Sequence, residues 1–276
     1  MTENRIPLAF PTIDLRDLLI PWEKCFGVNP GPVDSKAVAV MEDKDYDFAP
    51  VFEPIKSGQA VLGLVSRERL RELVHNGLEL LPSDAGICRP EVYDHASISV
   101  LLETMASTTA AIVVVDQDTY GPAPIGFLTR SDLNKHPFRS IIYLHLANLE
   151  IKLASLVEES FEDHWDWVSH LNEEKQARVI GYWELSKRRG VDVGPVGAAT
   201  LTEMFTVIAK TGRLRSLLGY TSRKSFDVAV GRIPDLRNQI MHPVRPLITN
   251  GEAVIKLKED MATILLLMER LKEPRS

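Results

Sequence analysis

The stretch Leu236-Arg-Asn-Gln-Ile-Met-His-Pro243 has the clearest capacity for chemistry in this chain. A histidine titrates close to neutrality and can take or give a proton. A planar guanidinium can hold two oxygens of a phosphate and stabilise charge that develops on them. Set against RNA, the pair has a defined task. A base removes the proton of a 2′-hydroxyl, the oxygen attacks the adjacent phosphodiester, and Arg237 offsets the charge on the non-bridging oxygens. No metal is needed for such a step, and the sequence shows no clustered His/Asp/Cys ligand set. Spacing alone does not single this pair out. With 19 arginines and 7 histidines, the chain also contains Arg89–His95, Arg130–His136 and Arg139–His145 at similar separations. Context distinguishes Arg237–His242: Asn238 follows the arginine, Pro243 follows the histidine, and the stretch closes a helix late in a helical region.

Helical geometry constrains how these residues meet. Asn238 and His242, four apart, share a helix face. Arg237 and His242, five apart, lie about 140° apart around an ideal helix and would not converge on it. Pro243 disfavours helical geometry at His242, so the histidine should leave the helix. It can then turn toward Arg237, or toward a second motif across a two-fold axis. Pro234 fits the first turn of this last short helix.

A second candidate site lies in an internal repeat. Leu62-Gly-Leu-Val-Ser-Arg-Glu-Arg-Leu70 aligns with Ile125-Gly-Phe-Leu-Thr-Arg-Ser-Asp-Leu133. Each hydroxyl stands where a helix N-cap follows a strand. In the second copy, the carboxylate of Asp132 can accept hydrogen bonds from two sugar hydroxyls, while Thr129 at a helix start favours phosphate. The first copy has Gly63, Ser66 and Arg69, so a cation replaces the carboxylate and could instead face a phosphate.

The elements that must position these residues divide the chain in two. Its 276 residues suit two domains, and 45% hydrophobic with 25% charged residues is the composition of a folded protein. No apolar run approaches the roughly 20 residues of a membrane span, and no basic-then-apolar leader is evident. A membrane-free, cytoplasmic protein is expected, with Cys25 and Cys88 as reduced structural thiols. In residues 1–137, Ala60–Val65, Ala111–Val115 and Pro124–Leu128 read as short buried strands, and the Pro/Gly clusters Asn29–Pro32 and Tyr120–Pro124 as loops. Residues 138–276 read as helices. Ile142, Leu146, Leu149, Leu153 and Leu156 form one stripe, and Val254, Leu257, Met261, Leu265, Met268 and Leu271 another. Between them, helices are expected over about Asp163–Arg189, ending at Gly190, from Gly197 toward Lys210, and from a Ser225 cap to His242. The net charge of −6 splits into −8 for residues 1–137 and +2 for the rest. Lys210–Arg245 holds eight basic residues against Asp227 and Asp235, so Arg213, Arg215, Arg223 and Lys224 could track a polyanion.

The repeat resembles the CBS domain, named from cystathionine β-synthase, two of which in tandem form a Bateman module. The resemblance covers about residues 1–137. It implies paired β-α-β units that commonly sense adenine nucleotides, with Gly126, Thr129 and Asp132 in the ribose-binding positions. The Arg237–His242 stretch resembles the signature of HEPN domains, all-α modules with an Arg-x(4–6)-His motif, over about residues 138–276. That resemblance implies a metal-independent ribonuclease acting as a dimer, with Arg237, Asn238 and His242 as catalytic residues. It also implies that Glu150, beside the stripe of the first helix, orients Arg237. Trp165, Trp167 and Trp183 suit the bundle core, and His164 and His170 its surface.

The expected fold class is therefore α+β in two domains: a paired β-α-β module over 1–137 and an all-α bundle over 138–276. The expected function is an adenine-nucleotide-regulated endoribonuclease that needs no cofactor for catalysis, works as a homodimer on RNA, and has an antitoxin or complex partner as a possible associate. The alternative is a non-catalytic ligand-sensing dimer whose helical half binds RNA or a protein, or a purely structural pairing module.

Overall fold

Val51 and Val113 each face a glycine across an antiparallel hairpin, and at both places the pairing slips by one residue. In the first hairpin (strands Phe48–Ile55 and Gly58–Ser66) Val51 pairs with Gly63 and Phe52 with Val61. In the second (Ala110–Val115 and Ala123–Thr129) Val113 pairs with Gly126 and Val114 with Pro124. Leu62 and Ile125 are thus the unpaired residues of two equivalent bulges, which bend and twist both hairpins alike. The glycines follow from close approach. A Cβ on Gly63, whose φ is +155°, would lie 1.9 Å from the Ala85 carbonyl oxygen, and one on Gly126 would lie 2.5 Å from that of Ile20.

The computed structural model describes residues 13–55, 58–88, 91–116, 123–163, 165–191 and 193–272, and their side chains apart from those of residues 58–59 and 86–88. The Cys88 side chain, Arg89, His164 and the Tyr120 end of the expected loop lie outside the described residues. The described residues form two units, 13–139 with 246–258 and 140–245 with 259–272.

In the first unit the repeat is longer than its sequence match. Val28 bridges Val51 in parallel across the helix Ser35–Asp43. Correspondingly, Glu91–Tyr93 pairs in parallel with Ala110–Val115 across the helix Ile98–Ser107. Each copy is therefore a β-α-β crossover followed by a hairpin. The second copy makes a four-stranded sheet in the order Ile20–Pro21, Ala123–Thr129, Ala110–Val115, Glu91–Tyr93. The expected loop at Gly31–Pro32 instead pairs with Glu79–Leu80. Strand alternation sends Leu64 and Val65 to opposite faces. Val65 joins Met41, Val51, Leu70 and Leu73. Leu64 joins Ile112, Val114 and Phe127, where Trp22 stacks on Phe127 at 5.8 Å. Ser66 caps the helix Arg67–His75 by accepting from the Arg69 N–H at 3.2 Å. Thr129 instead opens a five-residue 3-10 turn, Arg130–Asn134. Cys25 donates to the Pro21 carbonyl at 3.1 Å, and burial, helped by Glu23, pushes its thiol up to about 11, so it is an unreactive structural thiol.

In the helical unit, the stripe Ile142, Leu146, Leu149, Leu153 and Leu156 of the helix His136–Ser160 is buried throughout. Among the described residues this helix alone is long and apolar enough to cross a membrane, by length and composition, yet its apolar stripe lies in a protein core and it carries Glu150 and Lys152. The expected helix over Asp163–Arg189 is a 3-10 turn, Asp166–His170, and a helix, Glu173–Arg188, because Asn172 accepts from the Lys175 N–H and starts a new helix there. The segment after Gly197 becomes helical only at Leu201, where Thr200 and Glu203 form a capping box. Ser222, not Ser225, caps the next helix. The helical stretch expected to run to His242 is two helices, Arg223–Val230 and Ile233–Met241, with Pro234 in the first turn of the second as its chemistry predicts. In the last helix, Gly251–Arg270, Ile264 rather than Leu265 is fully buried, so the stripe steps from Met261 to Ile264 to Met268.

Two results are expected from this packing. Gly63→Ala should cost about 3 kcal/mol, read as a lower urea midpoint, because backbone rather than a mobile side chain occupies the space. In the helical unit, Glu203 is buried and accepts from Arg178, from the Thr200 N–H at 2.8 Å and from the Thr200 hydroxyl at 2.9 Å. Burial would raise its pKa, but these bonds outweigh it and hold the group below its ordinary 4.5. That contribution is complete above 4.5 and is lost as pH falls through the lower folded value. Glu203→Gln should therefore lower stability by about 1–2 kcal/mol at pH 7, a gap that closes on acidification in pH-resolved urea melts.

Candidate functional site

Equivalent residues of the two copies line one cleft of about 650 Å³. Phe48 and Ser66 of the first copy match Ala110 and Thr129 of the second, because Phe48 pairs with Ser66 and Ala110 with Thr129. Asp47 and Glu68 likewise match Thr109 and Ser131. Hydroxyls from Ser107, Thr108, Thr109, Thr129 and Ser131 make one side rich in hydrogen-bonding groups. A second pocket of about 220 Å³ shares Asp47, Phe48, Thr129 and Ser131 with the first, and its other walls mix apolar Ile20, Phe26, Pro50 and Phe127 with charged Lys24, Asp45 and Asp132. A flat group with polar edges in the smaller pocket and a polar extension in the larger one would fit this pairing.

The expected binding residues occupy distinct places. Thr129 reaches both pockets and Asp132 the smaller, while Gly126 lines neither and serves the close approach to Ile20. Asp132 is 4% exposed. Its Oδ2 accepts from the Thr129 N–H at 2.6 Å and the Thr129 hydroxyl at 2.9 Å, and its Oδ1 pairs with Lys135 at 2.8 Å. Its first role is thus to close the Thr129–Asn134 turn, which leaves limited acceptor capacity for a ligand. Arg69 does not face a phosphate. Its Nε and one terminal nitrogen donate to Asp84, and the other terminal nitrogen to Glu72 at 2.7 Å. Arg130 lines the larger cleft, but donates to the Met105 and Ala106 carbonyls at the end of the helix Ile98–Ser107. That placement favours the helix dipole and leaves one terminal nitrogen for other partners.

In the helical unit the structure brings Arg237 and Glu150 together. Arg237 Nε donates to Glu150 Oε1 at 3.1 Å, on side chains 43% and 29% exposed. The ion pair uses one nitrogen and leaves the outer pair of the guanidinium fork for an anion. Asn238 and His242 are exposed. His242 ends the helix Ile233–Met241 with φ −111° and ψ 76°, as Pro243 dictates. Among the described residues, no hydrogen bond joins Arg237 or Asn238 to the His242 ring. They also include no group of three or more His, Cys, Asp or Glu placed to hold a metal.

The basic stretch is less available than its composition suggests. Arg215 donates to the Ala209 carbonyl, Arg223 pairs with Asp227, and Arg232 pairs with both Glu259 and Asp260 at 2.8 Å. Lys210 donates to the His170 carbonyl at 2.6 Å. Of the expected track, Arg213 and Lys224 retain no ion pair among the described residues. Trp167 is core, but Trp165 and Trp183 are half-buried, packed edge to face at 4.9 Å with Lys187 over Trp183. His170 is half-buried against Phe161. Sequence reasoning missed the first-copy residues Asp47, Phe48 and Glu68; extending the repeat alignment upstream to the paired strand would have marked them.

No protein-family model matches this sequence, and no curated protein does. Solved CBS-domain structures are similar to about half of the chain. One is the CBS domain of a bacterial CNNM/CorC family Mg2+ transporter in complex with ATP, at 17% identity over 47% of this chain and 87% of that one, with a TM-score of 0.35. The CBS domain of a putative transporter from Clostridium difficile 630 is 20% identical over 47% and 94%, with a TM-score of 0.34. CbpB in complex with c-di-AMP is 16% identical over 47% and 87%, with a TM-score of 0.33.

The role given to Asp132 has a direct check. Asp132→Ala leaves the Thr129 N–H and hydroxyl without an acceptor, and should lower ligand-free stability by about 2 kcal/mol in urea unfolding. A residue reserved for ligand would show no such cost.

Proposed function

We propose that this chain senses an adenine nucleotide through its repeat unit and cleaves RNA without a metal through its helical unit. The observation that carries the sensing role is the cleft built from matched positions of two copies. The smaller pocket, with Phe48 and Phe127 for a ring face and Lys24, Asp45 and Asp132 for polar edges, suits a base. The adjoining space offers the hydroxyls of Thr129 and Ser131 and the Arg130 guanidinium to phosphates, against the opposing charge of Asp47 and Glu68 in the same lining.

For cleavage, the supporting observations are the Arg237–Glu150 pair and an exposed histidine at the end of the same helix as Arg237. Glu150 holds the guanidinium by its Nε, so the outer fork can receive two non-bridging oxygens of a phosphodiester. His242 takes the proton from the 2′-hydroxyl. The 2′-oxygen bonds to phosphorus, the bond from phosphorus to the 5′-oxygen breaks, and that oxygen takes a proton from an acid. The products are a 2′,3′-cyclic phosphate and a 5′-hydroxyl. His242 of a second copy supplies the acid most simply. Exposed apolar side chains support pairing of copies: Tyr143, Leu144 and Ile151 on the helix of Glu150, and Met241 and Val244 on either side of His242.

One observation favours the non-catalytic reading, in which the helical unit binds RNA or a protein without cutting. Arg215, Arg223 and Arg232 are engaged internally, so a long electrostatic track is missing. Incubation of an unstructured RNA and total tRNA in EDTA separates the two. Wild type should cut and leave 2′,3′-cyclic ends, and His242→Ala should be at least about 100-fold slower while still dimeric in sedimentation. Absence of cutting by a folded wild-type dimer would favour the binding reading.

A further inference from the structure

Asn134 makes three hydrogen bonds to a segment more than a hundred residues away. Its Oδ1 accepts from the N–H of Leu247 at 2.7 Å and of Ile248 at 2.8 Å, and its Nδ2 donates to the Ile248 carbonyl at 2.9 Å. Leu247 and Ile248 are 7% and 6% exposed, so these are buried backbone groups whose pairing carries a real cost if lost. The same turn backs the segment a second time. A Cβ on Gly251 would lie 2.8 Å from a terminal nitrogen of Arg130. The segment begins just beyond His242, with only Pro243, Val244 and Arg245 before Pro246.

The other end of the turn belongs to the cleft. Thr129, Arg130 and Ser131 line it, and Arg130–Asn134 is one 3-10 element closed by Asp132. From Ser131 to Asn134 is one turn, a rise of about 6 Å. A ligand against Thr129 and Ser131 therefore acts on the element whose last residue grips Leu247 and Ile248. No other residue of the turn offers both a donor and an acceptor to that backbone.

We infer that Asn134 is a positioning residue that transmits occupancy of the cleft to the segment following His242, tightening it when ligand is bound. The inference rests on the nucleotide-sensing reading above.

Amide hydrogen exchange on the whole chain tests it, because the Leu247 and Ile248 amides have Asn134 as acceptor. AMP and ATP serve as probes, with binding measured separately by calorimetry. In wild type, saturating ligand should slow exchange at both amides by about tenfold. In Asn134→Ala both should exchange fast with or without ligand, at unchanged ligand affinity, and any effect of ligand on RNA cleavage should vanish while the basal rate stays. Asn134→Asp keeps the acceptor and should restore the slowing. Bound ligand that leaves wild-type exchange unchanged overturns the inference, and so does ligand-dependent slowing in Asn134→Ala. If Asn134→Ala does not fold, the wild-type arm still decides. Failure of both probes to bind in calorimetry removes the sensing reading and this inference with it, a result distinct from binding without a response.

Discussion

The carboxylate of Asp132 organises the turn on which the cleft and the distant segment Leu247–Ile248 both depend. Buried, it takes the Thr129 N–H and hydroxyl on one oxygen and the Lys135 ammonium on the other. Withdrawing a carboxylate from water is unfavourable unless its lone pairs are filled, and here charged or polar donors fill them. The resulting tight turn sends the residues around it in set directions. Arg130 goes to the end of the helix Ile98–Ser107, Asn134 to the backbone of Leu247 and Ile248, and Thr129 and Ser131 to the cleft. Were the turn an ordinary α-helix, like its counterpart Arg67–His75, Asn134 would lie about 100° per residue along a different path and would not reach the same backbone.

The first copy solves the same local problem with the charges exchanged. Arg69 stands where Asp132 does, and the acids come to it: Asp84 takes two of its donors and itself accepts from the Leu81 N–H at 2.8 Å. Burial pushes the Asp84 carboxyl up, but the Leu81 N–H and the Arg69 guanidinium together hold it below the usual carboxylate range. Both copies retain the bulge and the packed glycine, since the hairpin needs them whatever the turn does. The copies diverge at the helix starts, which is where the cleft lies. A two-fold pattern of backbone therefore carries an unsymmetrical lining: acids at Asp47 and Glu68, hydroxyls at Thr109 and Ser131.

What could be read from the sequence was whatever depends on near neighbours. The strands, the repeated strand–turn unit, the stripe of the helix His136–Ser160 and the exit of His242 at Pro243 all follow from local pattern and proline chemistry. Choices between adjacent candidates were harder. Ser222 and Ser225 are both good caps, and Ile264 and Leu265 both fit an apolar stripe; tertiary packing decides. Partners distant in sequence were mostly illegible. Arg232 finds Asp260 and Asn134 finds Leu247 only because the fold brings them together, so neither composition nor charge density predicts which cations stay free. Glu150 with Arg237 is the exception. Its placement came from a family resemblance rather than from pattern, and the ion pair is present.

The two units are not consecutive in the chain. Residues 246–258 belong with 13–139, while the residues on either side of them belong with the helical unit. Neither unit can therefore be released by a single cut: an excised fragment ending near residue 139 would lack the backbone that Asn134 holds. The ordering also bears on synthesis. Residues 13–139 are made before residues 140–245, yet their own unit stays unfinished until residue 258 has been made. The repeats are thus completed only after residues 140–245 have been made.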